Sequence, residues 1–292
     1  MKKGQLTIFI VLGIVLIAAV SAMILLKGEL MEAYAGIEKG EAIRQTEEAA
    51  EVTAEVESCI KENAEMAQFL ALYYGGKKDL AEGSTITFLE RKVPIYYDKG
   101  ISYVPTKKEV EDVISYYISQ YMLLCLEDFN PETYEIEIMG APSAETAMKD
   151  SSLDISVSYP IRIISNNSSE TVRRFFVTAD SPVDKVYNDA IAIYNMAEQA
   201  KPYSEMASFS AGKGFELASD THENAAIFVL IYPELKLNSY MIEYPFALLY
   251  EEEQPYIGEE EALIEEQPRE GMRDLSLDLV SDALFPEEED DE

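Results

Sequence analysis

The chain has no tryptophan, a single histidine and only two cysteines. His222, Cys59 and Cys125 are too few to build a Cys/His transition-metal centre, and one isolated histidine without a nucleophile motif gives no histidine-based triad. Basic residues are scarce as well: 23 Lys plus Arg stand against 55 Asp plus Glu, a net charge of −32. Phosphate backbones are bound by clustered Lys and Arg, so this balance excludes nucleic acid as a partner. The segment Ser210-Ala211-Gly212-Lys213-Gly214 lacks the spacing of a phosphate-cradling loop. With 14 Gly and 12 Pro in 292 residues the chain is not low-complexity, and 48% hydrophobic residues allow a sizeable core.

One long hydrophobic run is present. Leu6 to Leu26 is interrupted only by Thr7, Gly13 and Ser21, and as a helix it reaches roughly 31 Å, enough for a hydrocarbon core of about 30 Å. Lys2 and Lys3 precede it, while Glu29 and Glu32 come after Lys27. The positive-inside rule then holds the short amino end in the cytoplasm and exports the chain beyond Gly28. Val20-Ser21-Ala22 also offers a small-residue cleavage site, but the run continues through Met23-Ile24-Leu25-Leu26, longer than a secretory core, which favours a retained anchor. Membrane lipid, contacted through residues 6–26, is thus the first expected partner.

The opening Lys2-Lys3-Gly4-Gln5-Leu6-Thr7-Ile8-Phe9 resembles the archaeal class III, type IV pilin-like signal. That resemblance implies processing between Gly4 and Gln5, with the apolar helix left in place; many pilins carry glutamate at the fifth mature position, where this chain has Phe9. Beyond it the chain is similar to single-span archaeal surface proteins with a Cys-bearing helix, a Gly-Gly pair and a second Cys-bearing helix, here Cys59, Gly75-Gly76 and Cys125. The likeness implies placement at the cell surface and no particular activity.

The exported part reads as α+β, with antiparallel hairpins and helices mixed. Val52, Val56, Cys59, Asn63, Met66, Leu70 and Tyr73 recur at helical spacing, and Gly75-Gly76 supplies a left-handed stop. Thr85–Leu89, Val93–Tyr97 and Ile101–Val104 read as strands around an Asp98-Lys99-Gly100 turn, with Pro94 placing its strand at an edge or starting it late. Thr106-Lys107-Lys108-Glu109 is a capping box before a helix whose apolar face runs from Val110 to Cys125. Tyr134–Met139, Ser152–Ile164 and Thr171–Thr178 alternate as strands, and Ser181-Pro182-Val183-Asp184 opens a helix that Lys201-Pro202 ends. Residues 203–223 show little periodicity; Ala225–Tyr232 and Ser239–Tyr250 close the domain as strands. The expected organisation is an anchor over 1–27, a juxtamembrane helical stalk over 28–50, an α+β ectodomain over 51–250 and an acidic disordered tail over 251–292.

That tail holds 18 acids and two bases, Arg269 and Arg273, so it carries −16, half the net charge. Within it Met272, Leu275, Leu279 and Ala283 share a helical face, followed by Leu284 and Phe285, a stripe suited to docking in a partner's groove over 272–285.

An even cysteine count on the oxidising side points to a Cys59–Cys125 bridge, with two buried free thiols as the plainer reading. Asn166 and Asn167 open overlapping glycosylation sequons on a hairpin tip. Glu135 and Glu137 alternate along one strand, which solvation explains without chemistry, and the Glu287–Glu292 run lacks the ligand order of a calcium loop. No catalytic, cofactor-binding or metal-ligating residue is identifiable and no cofactor is expected. The sequence therefore suggests a membrane-anchored surface protein that binds or scaffolds a protein or surface polymer. A pilin-like filament subunit is the alternative, and an exported hydrolase with carboxylates gathered only by folding is the third.

Overall fold

The computed structural model describes residues 46–250, except 79, 82, 127, 128, 166, 167 and 223. The apolar run 6–26, the Gly4/Gln5 junction, most of the expected stalk, Asn166, Asn167 and the tail lie outside the described residues. Among the described residues no helix is long and apolar enough to cross a membrane.

The described chain is mixed α+β. Helix α1 (Glu47–Tyr73) leads into β1 (Thr85–Phe88), β2 (Arg91–Asp98) and the short β3 (Ile101–Ser102), and then α2 (Lys107–Tyr121). Strands β4 (Glu135–Ile138), β5 (Ser143–Met148), β6 (Ser152–Ser165) and β7 (Ser168–Asp180) come next. Helices α3 (Val183–Glu198) and α4 (Tyr203–Lys213) precede β8 (Glu216–His222), β9 (Ala225–Leu237) and β10 (Tyr240–Leu249). The strands form two sheets, one ordered β1-β2-β10-β9-β8 with β3 beside β2, the other centred on β6 with β7 on one side and β4 and β5 on the other. Among the described strands only β2 and β10 pair in parallel; the other pairs are antiparallel.

Helix α1 joins the sheets. Thr46 caps it, its side chain accepting from the Ala49 N–H and donating to Glu170 of β7, while Gln68 donates to the Asp180 carbonyl at the far end of the same strand. The 22 residues between these contacts rise about 33 Å as a helix, and the ten strand residues from Glu170 to Asp180 span about the same, so helix and strand run side by side. The packed helix thus starts inside the 28–50 stretch, with Ala49 already buried. Its inward stripe follows Val52 and Val56 to Ile60, Ala64, Ala67 and Ala71, one residue past the face expected at Cys59, Asn63 and Met66. Those three are half-buried, because a helix in contact with α2 and both sheets buries more than one narrow stripe, and alanines let neighbours approach closely.

The helix stops as expected. Gly75 and Gly76 are left-handed, and the Gly76 N–H returns to the Ala71 carbonyl at 2.7 Å. A Cβ on Gly75 would collide with the Pro245 carbonyl and Pro94, so the turn sits directly on the first sheet. Tyr96 donates to the Gly75 carbonyl at 2.7 Å and lies 2.6 Å from the Tyr244 hydroxyl. Arg91 stacks on Tyr73, donates to its carbonyl and pairs with Glu243 at 2.7 Å, supplying the cation that the last helical turn lacks.

One expectation fails, and one strand has no counterpart in the sequence reading. Pro94 lies in an interior strand, opposite Thr85 on β1, with β10 pairing from Ile95 onward; proline is accommodated because the second ladder begins only at the next residue. Strand β5 was not legible, since Ser, Ala, Glu and Met do not favour strand, yet it alternates exposed and buried from Ser143 to Met148. Its outer edge is closed by side chains of α2. The N–H groups of Ala144, Thr146 and Met148 donate to Ser119 Oγ, Ser115 Oγ and Glu111 Oε1 at 2.8, 3.0 and 2.8 Å. Four helical residues rise about 6 Å and two strand residues about 6.7 Å, so the spacings match along the edge.

Candidate interaction surface

Beyond Tyr121 the chain turns tightly, with successive N–H groups of Met122, Leu123, Leu124 and Cys125 returning to residues three or four earlier. Met122 and Leu126 are buried in the core and Cys125 is half-buried. A turn that sends those residues inward sends Leu123 and Leu124 outward, and they are 52% and 54% exposed. On β4, Ile136 packs on the core, whereas Ile138 on the same face is 52% exposed. Met139 is next at 45%, held by its N–H to the Pro160 carbonyl at 2.9 Å. Leu123, Ile138, Met139, Gly140, Ala141 and Pro142 line an open groove of about 430 Å³ over the buried Tyr159. Burial raises the Tyr159 phenol above its ordinary value, so it is neutral across the physiological range.

Among the described residues no charged side chain lines this groove. Arg162 pairs with Glu137 at 2.8 Å, and Glu137 alternates with Ile136 and Ile138, which places that pair on the other face of β4. The groove can bury apolar side chains, worth roughly 1.5–3 kcal/mol for each large one; its described lining offers no acid, base or nucleophile.

The loop beneath Leu123 and Leu124 is tied to α1. Cys59 and Cys125 lie at disulfide distance with Cα atoms 5.8 Å apart, and Asn63 Nδ2 sits 3.2 and 3.3 Å from the two sulfurs. Asn63, the one polar residue in the expected apolar face, thus has its partners at the cysteine pair.

The other candidates stay dispersed. Glu135 and Glu137 are exposed on β4, and His222 is exposed at the end of β8 opposite Ala225. Two carboxylates on α3 escaped notice as core residues. Asp184 accepts from Lys107 and from Asn188, the latter at 2.9 Å; Asp189 accepts from Tyr232 and Lys185, both at 2.9 Å. Burial and the Asp189 charge push the Tyr232 phenol up. Their bonds tie α3 to α2 and β9, a structural role, and neither lines the groove. Among the described residues no group of three or more His, Cys, Asp or Glu could hold a metal ion. The groove itself was detectable only as two apolar pairs, Leu123-Leu124 and Ile138-Met139, each placing an apolar residue where the local periodicity calls for a polar one. No family model, no curated protein and no solved structure matches the chain.

Proposed function

We propose that the chain is a single-span, membrane-tethered protein whose α+β domain lies outside the cytoplasm and binds the apolar surface of another protein. The observation that carries the binding reading is the cluster of large, exposed apolar side chains at the groove, Leu123, Ile138 and Met139, beside Leu124. The run from Leu6 to Leu26 supports the tether, and cysteines at disulfide distance suit an oxidising compartment. A photoreactive residue placed at Leu123 in the full chain, activated in native membranes, is expected to capture a discrete protein. Ile138→Asp should abolish that adduct. Capture no greater than from the exposed position Glu216 would overturn the reading.

A pilin-like subunit is the second reading, supported by a long amphipathic helix, α1, that comes after the apolar run and packs on a sheet. It requires cleavage between Gly4 and Gln5 and lateral assembly in the membrane; amino-terminal sequencing that begins at Met1 would dismiss it.

A further inference from the structure

Among the described residues, six buried apolar ones stand outside the main core: Val93, Ile95, Ala225, Ile227, Ile231 and Ala247, all at 0–8% exposure. All belong to the first sheet, and alternation puts them on one face. Phe228, Leu230 and Tyr232 enter the main core, so Ile227, Val229 and Ile231 point the other way. Ile227 is opposite Ala247, Ala247 is opposite Ile95, and Val93 is opposite Ile86. Val93, Ile227 and Ala247 form a separate cluster with Ile86, Phe88 and Val229, every member drawn from a strand. Residues from all four described helices appear in the main core and none in this cluster.

We infer that this far face of the first sheet is the docking site for the chain's own residues 272–285, laid across it as a helix with Met272, Leu275, Leu279 and Ala283 inward. The segment leaves from the right place: β10, central to the face, ends at Leu249, and Tyr250 is held by the Asn224 carbonyl at 2.9 Å. Residues 251–271 separate it from Met272, and a chain of that length reaches at most roughly 70 Å, enough to bring Met272 to any part of the face. A 14-residue helix is about 21 Å long, close to the roughly 19 Å between the first and fifth strands of this sheet. The amino-terminal end of α1 lies elsewhere, because Thr46 sits against Glu170 of the second sheet and the helix rises about 40 Å before reaching the first.

The test uses the full chain in lipid nanodiscs with Val229→Cys, a half-buried position on the face. A water-soluble maleimide should react slowly there. It should react about tenfold faster after Leu275→Asp with Leu279→Asp, or after removal of 251–292, as for a weak intramolecular contact at millimolar effective concentration. Equal rates in all three proteins would overturn the inference, and so would a rate that falls with protein concentration, the mark of a second copy covering the face. Because the chain has no tryptophan, Leu279→Trp gives a second readout: blue-shifted emission that moves to the red on Val229→Asp supports docking, and solvent-like emission before that change contradicts it.

Discussion

The two sheets treat their far faces in opposite ways. On β6, Leu153, Ile155, Val157, Tyr159, Ile161 and Ile163 turn to the core, while Asp154, Ser156, Ser158 and Arg162 turn to water. On β9, Ala225 to Tyr232 is apolar at every position and buried at all but Val229. A period of two with a polar half marks a sheet with one wet face, whereas an unbroken apolar strand marks one that is covered twice. The same contrast holds at the joints: the second sheet is closed by hydroxyls and a carboxylate of α2, the first by glycine, tyrosine and arginine at the end of α1.

The sharpest way to separate the two halves is to open the cysteine pair. Reduction, or Cys59→Ser with Cys125→Ser, should lower stability by up to about 4 kcal/mol for a closed loop of this length, read by denaturant unfolding. Hydrogen exchange should then rise first in α2 and β5, and only later in β9 and β10. Gly75→Val attacks the other joint, forcing a β-branched residue into a left-handed position against Pro245; a loss of about 3 kcal/mol or more is expected, with exchange rising first in β2 and β10. Next is the edge lock. Ser115→Ala strands the buried Thr146 N–H at a cost of roughly 1–3 kcal/mol, and a change under about 0.5 kcal/mol in thermal unfolding would show that water replaces the hydroxyl.

Alkaline titration probes the first sheet. Burial raises the phenols of Tyr96 and Tyr244, with the neighbouring Tyr244 phenol a further cause at Tyr96. Folded, they keep their protons; unfolded, tyrosine ionises near 10. Stability is therefore complete below about pH 10 and falls by up to roughly 1.4 kcal/mol per pH unit for each tyrosine above it. Their absorbance should show delayed ionisation that ends abruptly on unfolding. The smallest effect is expected at the groove, where Ile138→Asp should change stability by no more than about 0.5 kcal/mol while abolishing capture by the probe at Leu123.

Where local chemistry dictates local geometry, the sequence was readable. The capping box at Thr106 and Glu109 forms in both directions, Gly75-Gly76 ends α1, and the β6–β7 hairpin pairs from Ser152 opposite Asp180 to Ser165 opposite Ser168. The features that escaped depend on distant partners. Strand β5 exists because α2 supplies acceptors to its edge, and Pro94 is tolerated because β10 arrives one residue later. Helix α4 buries only Met206 and Ser210 and so shows no periodic stripe. The groove was least legible, since exposure at Leu123 and Ile138 depends on where α2 and β4 cease to be covered, which no local pattern records.

The tether can be tested by labelling intact cells that make the protein with a charged, membrane-impermeant amine reagent and mapping the modified lysines. Lys108 and Lys149 have well-exposed side chains in the α+β domain and should be modified without lysis, while the chain stays in the membrane fraction through carbonate extraction. Modification of both lysines only after lysis, or release of the intact chain by carbonate, would contradict the account.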